Sequence, residues 1–303
     1  MRFAVTGAAG FIGSHLAEAL LEHGHEVVGL DCFTDYYDVA LKEENARGLD
    51  VRRVDLAEDE LELSGLDGVF HLAAQPGVRS FGDVFPLYLR RNVLASQRVF
   101  EAAARDGVRV VFASSSSIYG EAERYPTPED TPPRPLSPYG ITKLAAEHLA
   151  HAYSRAFGLD CVVVRYFNAF GPRQRPDMAF TRMCFALAEG GSFDLYGDGE
   201  QTRGWTYVSD VVEATLVAME RGTGVYNVGG ALEASMNETI AALERIAGRR
   251  LDVRRQPPVP GDQRRTNADT TRIRRELGWS PEVTLEAGLE AQWSWAAGRV
   301  AAR

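Results

Sequence analysis

Lysine is almost absent from this chain of 303 residues: only Lys42 and Lys143 occur among 33 basic side chains. Cysteine is also scarce, and three residues are too few and too widely spaced for a disulfide framework or a zinc site. No apolar stretch approaches the ~18 uninterrupted residues that a membrane span needs. These absences predict a cytoplasmic protein that binds neither a metal nor a membrane.

The charge balance excludes a further class of protein. A net charge of -9 argues against general nucleic-acid binding, which requires a basic surface. Hydrophobic residues make up 45% of the chain and charged residues 25%, so a disordered or collagen-like chain is also excluded. The length suits one large α/β domain, or one such domain with a smaller appendage.

The first 31 residues predict a dinucleotide-binding unit. A short apolar run at 1–6 suits a buried parallel strand, and it is followed by Gly7, Gly10 and Gly13 and then by a helical pattern. Glycines let the backbone approach a pyrophosphate, and the helix N-terminus offers it free N–H groups. Asp31 ends the second predicted strand, where it can accept hydrogen bonds from both ribose hydroxyls and repel a 2′-phosphate. The pattern favours NAD over NADP.

The remaining pattern predicts a doubly wound parallel sheet, that is, a Rossmann fold with a smaller C-terminal α/β domain. Strand-like runs alternate with helical segments, which is typical of helices on both faces of a parallel sheet. We expect a cofactor domain over residues 1–170 and a mainly substrate-binding domain over 171–303, with 224–229 returning to the core. The strand-like runs are 51–54, 68–72, 108–113 and 161–166, and the helical segments are 87–105, 139–157 and 235–247.

A catalytic constellation is predicted from a serine cluster and a helix. The cluster, 114–117, follows a predicted strand, and ligands bind at the carboxyl ends of such strands. Tyr139 and Lys143 lie four residues apart on one helix face. A phenol is a poor base at neutral pH, but an adjacent ammonium and the positive nicotinamide of NAD lower its pKa. The phenolate can then take a proton from a substrate hydroxyl.

These motifs resemble the extended short-chain dehydrogenase/reductases, specifically the NAD-dependent nucleotide-sugar epimerase/dehydratase family. The likeness runs nearly end to end, and it includes 71–75, 165–168 and 226–229. It implies that Tyr139 and Lys143 are catalytic together with Ser115, which would bond the reacting sugar oxygen. The resemblance implies that NAD is held by Gly7, Gly10, Phe11, Ile12, Gly13, Asp31, Asp55, Leu56, Leu72, Ala73, Ala74, Gln75, Asn92, Tyr139, Lys143 and Tyr166.

The likeness also indicates which reaction to expect. Dehydratases of this group carry an Asp-Glu pair at the positions of Ser116 and Ser117, and decarboxylases carry a glutamate at that of Ser117, so a 4-epimerase is favoured. Two stretches, 34–38 and 175–179, resemble UDP-glucuronate 4-epimerases, which interconvert UDP-glucuronate and UDP-galacturonate. Arg175, with the hydroxyls of Ser116 and Ser117, would then bind the uronate carboxylate.

Several features leave alternatives open. Asn168, also a predicted substrate contact, matches the asparagine of UDP-glucose and UDP-hexosamine 4-epimerases, whereas UDP-glucuronate 4-epimerases often have a threonine there. A non-catalytic NAD-binding sensor or scaffold is a further alternative. Arg203 is expected to meet the substrate diphosphate, as is Arg264, which follows a Pro-Gly-Asp sequence at 260–262. The resemblance also implies a homodimer that pairs through the helices at 87–105 and 139–157.

Overall fold

A seven-stranded parallel sheet dominates the computed structural model, which describes residues 1–77, 81–230, 232–258 and 263–302. Apolar runs form its central strands because both faces are covered by helices. The strands are β1 (Arg2–Thr6), β2 (Glu26–Asp31), β3 (Val51–Arg53), β4 (Gly68–His71), β5 (Val110–Ser115), β6 (Cys161–Tyr166), β7 (Ala169–Phe170), β8 (Ser192–Tyr196), β9 (Thr202–Gly204), β10 (Thr206–Tyr207), β11 (Val225–Val228), β12 (Glu233–Ser235), β13 (Asp252–Gln256) and β14 (Arg265–Thr266).

Helices separate most of these strands along the chain. A π-helical segment, Leu89–Leu94, joins the third and fourth helices, where the sequence predicts one continuous helix over 87–105. The α-helices are α1 (Phe11–Glu22), α2 (Val39–Asn45), α3 (Phe85–Tyr88), α4 (Ala95–Asp106), α5 (Pro138–Phe157), α6 (Ala179–Glu189), α7 (Val208–Arg221), α8 (Met236–Ala247), α9 (Thr271–Leu277) and α10 (Leu285–Ala301).

The strand order confirms the predicted doubly wound fold. The large sheet runs β11-β6-β5-β4-β1-β2-β3, and each neighbouring pair is parallel. The direction of winding reverses between β1 and β4, and a ligand crevice opens at such a reversal, outside the carboxyl ends of the strands. The glycine turn after β1 and the serine cluster at the end of β5 therefore meet at one edge of the sheet.

The described residues of the second half of the chain form three small sheets and also return to the large one. The small sheets pair β10 with β7, β9 with β12 and β14, and β13 with β8. β11 lies beside β6 within the predicted returning segment, and α7 packs against α1, β5 and β6. Ser235 and Glu238 form the predicted capping box at the start of α8.

The sequence argued against a membrane span and against a metal site, and the described residues bear on both. Among the described residues, no helix is both long and apolar enough to cross a membrane. Within the same part of the chain, no group of histidine, cysteine, aspartate and glutamate side chains could hold a metal ion.

Candidate active site

The glycine turn after β1 forms a tight cradle at the N-terminus of α1. Gly7 has φ +72°, and a Cβ atom placed on Gly13 would lie 2.1 Å from the Gly7 carbonyl oxygen. A Cβ atom on Gly7 itself would lie 3.0 Å from the Ala73 backbone. Larger side chains are therefore excluded, and the first turn of α1 stays open to a phosphate group.

Asp31 is fixed at the end of β2 beside this turn. Its carboxylate accepts hydrogen bonds from the backbone N–H groups of Ala9 (3.1 Å) and Phe33 (2.7 Å). Each carboxylate oxygen retains a free lone pair, so the group can also accept from the two hydroxyls of a ribose. This geometry fits the adenosine half of NAD rather than NADP.

Most of the predicted cofactor residues line one cavity above the carboxyl ends of the strands. The cavity continues from the glycine turn to the start of α5, so it brings the predicted cofactor and catalytic positions together. Its lining includes Gly7, Gly10, Phe11, Ile12, Gly13, Asp31, Asp55, Leu56, Leu72, Ala73, Ala74, Tyr139, Lys143, Tyr166 and Arg175. The residues present therefore fit a dinucleotide.

Two predicted cofactor residues, Gln75 and Asn92, do not line this cavity. The Asn92 side chain accepts from the Gln75 backbone N–H (2.7 Å) and donates to the Gln75 carbonyl oxygen (3.1 Å). It also donates to Thr142 on α5 (3.0 Å). Asn92 thus joins the π-helical segment to the loop after β4 and to α5, behind the cavity wall.

Tyr139 lines the cavity, and its phenol is in hydrogen-bonding contact with Ser115, which is not itself among the lining residues. Burial raises the pKa of Tyr139, whereas the positive charge of Arg175 and the hydrogen bond from Ser115 act to lower it. The Ser115 hydroxyl also lies 3.1 Å from Ser117 Oγ and accepts from the Ser117 backbone N–H at 3.1 Å. The phenol is therefore placed by a hydroxyl that is itself held in position.

Lys143 is buried one helical turn from Tyr139. Its Nζ donates to the Ala113 carbonyl oxygen at 2.8 Å and lies 4.9 Å from the centre of the Phe112 ring. Burial lowers the pKa of Lys143 to about 7, and the negative charge of Glu147 opposes this change. The positive charge of Arg175 acts on the Tyr139 phenol as well, and the stabilisation of its phenolate by Lys143 stays a prediction.

Arg175 is the one predicted substrate residue that shares the cavity with Tyr139. Its guanidinium forms a forked ion pair with Asp177, with distances of 2.9 and 3.0 Å. Tyr36 donates to the same carboxylate at 3.3 Å. The Arg175 side chain is 23% exposed, so the pair remains accessible from the open side of the cavity.

The other predicted substrate residues lie outside the cavity lining. Ser116 and Ser117 form a 3-10 turn directly after Ser115. The Asn168 side chain donates to the Gly204 carbonyl oxygen (3.1 Å) and to the Thr266 hydroxyl (2.9 Å). These bonds join the loop after β6 to the sheet that β9 forms with β12 and β14. Its backbone has φ +43°, a conformation that asparagine adopts more readily than a β-branched residue.

The two predicted diphosphate ligands have partners within the protein. Arg203 donates to the carbonyl oxygens of Thr202 (2.8 Å) and Gln263 (2.7 Å). Arg264 forms a forked ion pair with Asp198 (2.8 and 3.0 Å) on the surface. The Pro-Gly-Asp sequence at 260–262 lies outside the described residues.

A family model decides the assignment of the chain. The model of the NAD-dependent epimerase/dehydratase family matches residues 3–229. The chain belongs to this family. Membership confirms the predicted family and NAD as its expected cofactor.

Three relatives illustrate the range of the family. A Bacillus subtilis protein described as an uncharacterised UDP-glucose epimerase, YtcB, is 40% identical over 95% of this chain and 96% of its own length. The UDP-glucose 4-epimerase of Mycolicibacterium smegmatis is 38% identical, over 95% of this chain and 96% of its own. The Bacillus cereus UDP-glucuronic acid 4-epimerase, solved with UDP-glucuronic acid and NAD, is 39% identical with a TM-score of 0.95, over 99% of this chain and 100% of that one.

Lys42 lines the same cavity, although the sequence analysis gave it no role. Its Nζ donates to the Thr34 carbonyl oxygen (2.6 Å) and hydroxyl (2.8 Å), and it lies 4.6 Å from the centre of the Tyr37 ring. The scarcity of lysine could have indicated this residue. The chain has two lysines, and both line the cavity in which the cofactor is expected. Cys32, Thr34, Tyr36, Tyr37, Arg91 and Ser114 also line it without having been predicted as ligands.

Replacing Lys42 is expected to weaken NAD binding. A Lys42→Met variant loses both hydrogen bonds to Thr34, and with them the ordered loop beside Asp31, so the Kd for NAD should rise about tenfold. Isothermal titration with NAD measures the change, and substitution of the exposed Arg47 in the turn after α2, Arg47→Met, serves as the control. An unchanged Kd in Lys42→Met would remove Lys42 from the cofactor site.

Proposed function

We propose that this chain is a UDP-sugar 4-epimerase whose substrate is UDP-glucuronate, which it interconverts with UDP-galacturonate. The observation that supports this substrate is the position of Arg175 in the cavity beside Tyr139. A uronate carries a carboxylate at C6, and a guanidinium matches two carboxylate oxygens with parallel hydrogen bonds. A UDP-hexose offers only a neutral hydroxymethyl group at that position.

Asp177 occupies the guanidinium fork of Arg175 in the protein alone. A substrate carboxylate would replace one carboxylate by another, so the charge of Arg175 stays compensated before and after binding. The exchange is possible because the Asp177 side chain is 41% exposed and can turn towards solvent. The hydroxyls of Ser116 and Ser117 would complete the carboxylate site from the 3-10 turn that follows Ser115, outside the present lining of the cavity.

Tyr139 would remove the proton from the sugar O4 hydroxyl and later return it. Ser115 would hold the reacting oxygen, since its hydroxyl already contacts the phenol. The positive charge of Arg175 favours the phenolate that this role requires. NAD, when bound, supplies the hydride acceptor and donor that inversion at C4 needs. Lys143 and the glycine turn would hold its ribose and pyrophosphate.

Arg175 would also protect the substrate from a side reaction. A uronate that is oxidised at C4 is a β-keto acid, and it loses CO2 when the C5–C6 bond aligns with the carbonyl π system. A forked ion pair that holds the carboxylate nearer the ring plane would suppress this alignment, which is an effect of positioning. Retention of the carboxylate is thus part of the proposed role.

Product analysis tests the proposal. The purified protein is incubated with NAD and, in separate reactions, with UDP-glucuronate, UDP-glucose and UDP-N-acetylglucosamine, and the products are resolved by anion-exchange chromatography. We expect UDP-galacturonate to form rapidly. Formation of UDP-galactose or UDP-N-acetylgalactosamine without UDP-galacturonate would contradict the proposal and support the UDP-hexose alternative, which the names of the Bacillus subtilis and Mycolicibacterium relatives favour.

We further propose that two copies pair through α3 to α5. Large apolar side chains remain exposed on these helices and on the π-helical segment between α3 and α4, among them Leu94 (45%), Ile141 (48%) and Phe157 (67%). A second copy would remove them from water, and the family resemblance implies the same pairing. The pairing would leave the cavity accessible from the opposite side of each α5 helix.

Charge placed on this face is expected to produce monomers. A Leu94→Glu and Ile141→Glu double variant would bury two carboxylates in the interface, at a cost that no partner offsets. Sedimentation velocity should show a dimer for the parent protein and a monomer for the variant. Leu21→Glu on α1, where the leucine has a similar exposure of 42%, should leave the dimer intact. A monomeric parent protein would overturn the proposed pairing.

A further inference from the structure

A buried carboxylate with no part in the proposed proton transfer, that of Glu147, lies one helical turn beyond Lys143. Tyr139, Lys143 and Glu147 are spaced by four residues along α5, so they form one row on a single face of the helix. The side chain of Glu147 is only 9% exposed. A carboxylate that is buried next to two proposed catalytic side chains must be stabilised by partners within the protein.

Glu147 is held from the two neighbouring strands. The guanidinium of Arg165 on β6 forks onto it, with Nε 3.0 Å from one carboxylate oxygen and Nη2 2.7 Å from the other. The Ser114 hydroxyl, which lines the cavity at the end of β5, donates to Glu147 Oε1. Arg165 is fixed in turn by Tyr119 (2.6 Å) and by the Glu129 carbonyl oxygen (3.0 Å).

Lys143 faces groups from two strands as well as from its own helix. β5 provides the Ala113 carbonyl oxygen, which accepts from Nζ, and β4 provides His71. Burial and the positive charge of Lys143 lower the pKa of His71 to about 3, so this imidazole is neutral at physiological pH. α5 itself provides Glu147, whose negative charge acts on Lys143 and whose carboxylate is held by Arg165 of β6. Among these groups, Glu147 is the anion.

The carboxylate of Glu147 is therefore paired with one buried cation, Arg165, and its negative charge also acts on a second, Lys143. Arginine cannot lose its proton at any pH at which the protein is folded. A buried charge without a partner neutralises where it can, so removal of the carboxylate would drive the proton from Lys143. We propose that Glu147 is a positioning residue that keeps Lys143 as an ammonium and, through Ser114, fixes the end of β5 on which Lys143 docks.

The catalytic meaning of this inference rests on the proposed epimerase function, but its test does not require activity. Because the chain contains two lysines, a protein labelled with lysine carrying ¹³C at Cε gives two lysine signals. A Lys42→Arg sample assigns them. The pH dependence of the Lys143 signal, recorded in the NAD-supplemented protein, reports its protonation directly, and Lys42 provides an internal control.

The titration midpoint of Lys143 is expected to shift in opposite directions when Glu147 and Arg165 are replaced. Glu147→Gln should lower the titration midpoint of Lys143 by about one pH unit or more, because the anion is lost. Arg165→Met should raise it, because the competing cation is lost and Glu147 turns wholly to Lys143. The Lys42 midpoint should remain unchanged in both variants. A structural role alone would not shift Lys143 in opposite directions.

Two outcomes would overturn the inference: an unchanged Lys143 midpoint in Glu147→Gln, or a fall of this midpoint in Arg165→Met. If Glu147→Gln does not fold, the direction of the shift in Arg165→Met decides. In the active enzyme, the alkaline limb of the kcat profile should move to lower pH in Glu147→Gln by the same amount as the lysine midpoint. A chain without epimerase activity would refute the proposed function while leaving the lysine titrations decisive.

Discussion

A Tyr139→Phe variant is expected to turn over UDP-glucuronate ~10²-fold or more slowly than the parent protein, the usual scale for loss of a positioned acid/base. Phenylalanine keeps the ring and its packing but removes the oxygen that contacts Ser115. The affinity for NAD should be retained, because the glycine turn and Asp31 are unaffected. Initial rates of UDP-galacturonate formation, together with calorimetric titration of NAD, measure both effects.

A matched substitution separates loss of the base from damage to the helix. Tyr153 lies on the same helix and its hydroxyl contacts Gln97 outside the cavity. Tyr153→Phe should therefore leave the rate within about twofold of the parent value. Equal rates for Tyr139→Phe and the parent protein would remove Tyr139 from the mechanism. NAD binding with no turnover of any UDP-sugar by the parent protein would support the non-catalytic sensor.

An Arg175→Gln variant is expected to lose about 10²-fold in kcat/KM for UDP-glucuronate, because the substrate carboxylate would be buried without its cation. A fraction of the product should also be a UDP-pentose, since the carboxylate is no longer held against decarboxylation. The expected loss for UDP-glucose is smaller, because this substrate has no carboxylate. Rates with both substrates and chromatography of the products measure the three effects.

The control for this variant is an arginine far from the cavity. Arg254 on β13 is 64% exposed, and Arg254→Gln should leave both substrates unaffected. A uniform loss for UDP-glucuronate and UDP-glucose in Arg175→Gln would mean that Arg175 acts through Tyr139 alone, since its charge also lowers the pKa of that phenol. That result would contradict carboxylate recognition.

Local patterns predicted the fold and most of the residues that line the candidate cofactor cavity. The spacing of the apolar residues and the positions of the glycines predict a strand before Gly7 and a helix after Gly13. Parallel strands then bring their carboxyl ends to one edge of the sheet. The serine cluster and Tyr139 were therefore expected to meet, although they are more than twenty residues apart in the chain. Asn168 was harder to interpret, because its contacts with Gly204 and Thr266 depend on the packing of β9 and β14.

The charged pairs and hydrogen bonds of the site could not be predicted from the sequence. Spacing predicted that Lys143 lies beside Tyr139, but not that its ammonium turns to the Ala113 carbonyl oxygen. The charge of Arg175 acts on Tyr139 from a loop after β7, and Arg165 pairs with Glu147 from the next strand. Such contacts join residues that are distant in the chain, and each depends on side-chain direction as well as on the position of the backbone.

A competition experiment tests the central claim most directly. The protein is given NAD and an equimolar mixture of UDP-glucuronate and UDP-glucose, and the initial rates of UDP-galacturonate and UDP-galactose formation are compared in one reaction. The ratio of these rates equals the ratio of the two kcat/KM values. A ratio that favours UDP-galacturonate by about 10²-fold is expected from the carboxylate site at Arg175. A ratio near or below one would contradict it.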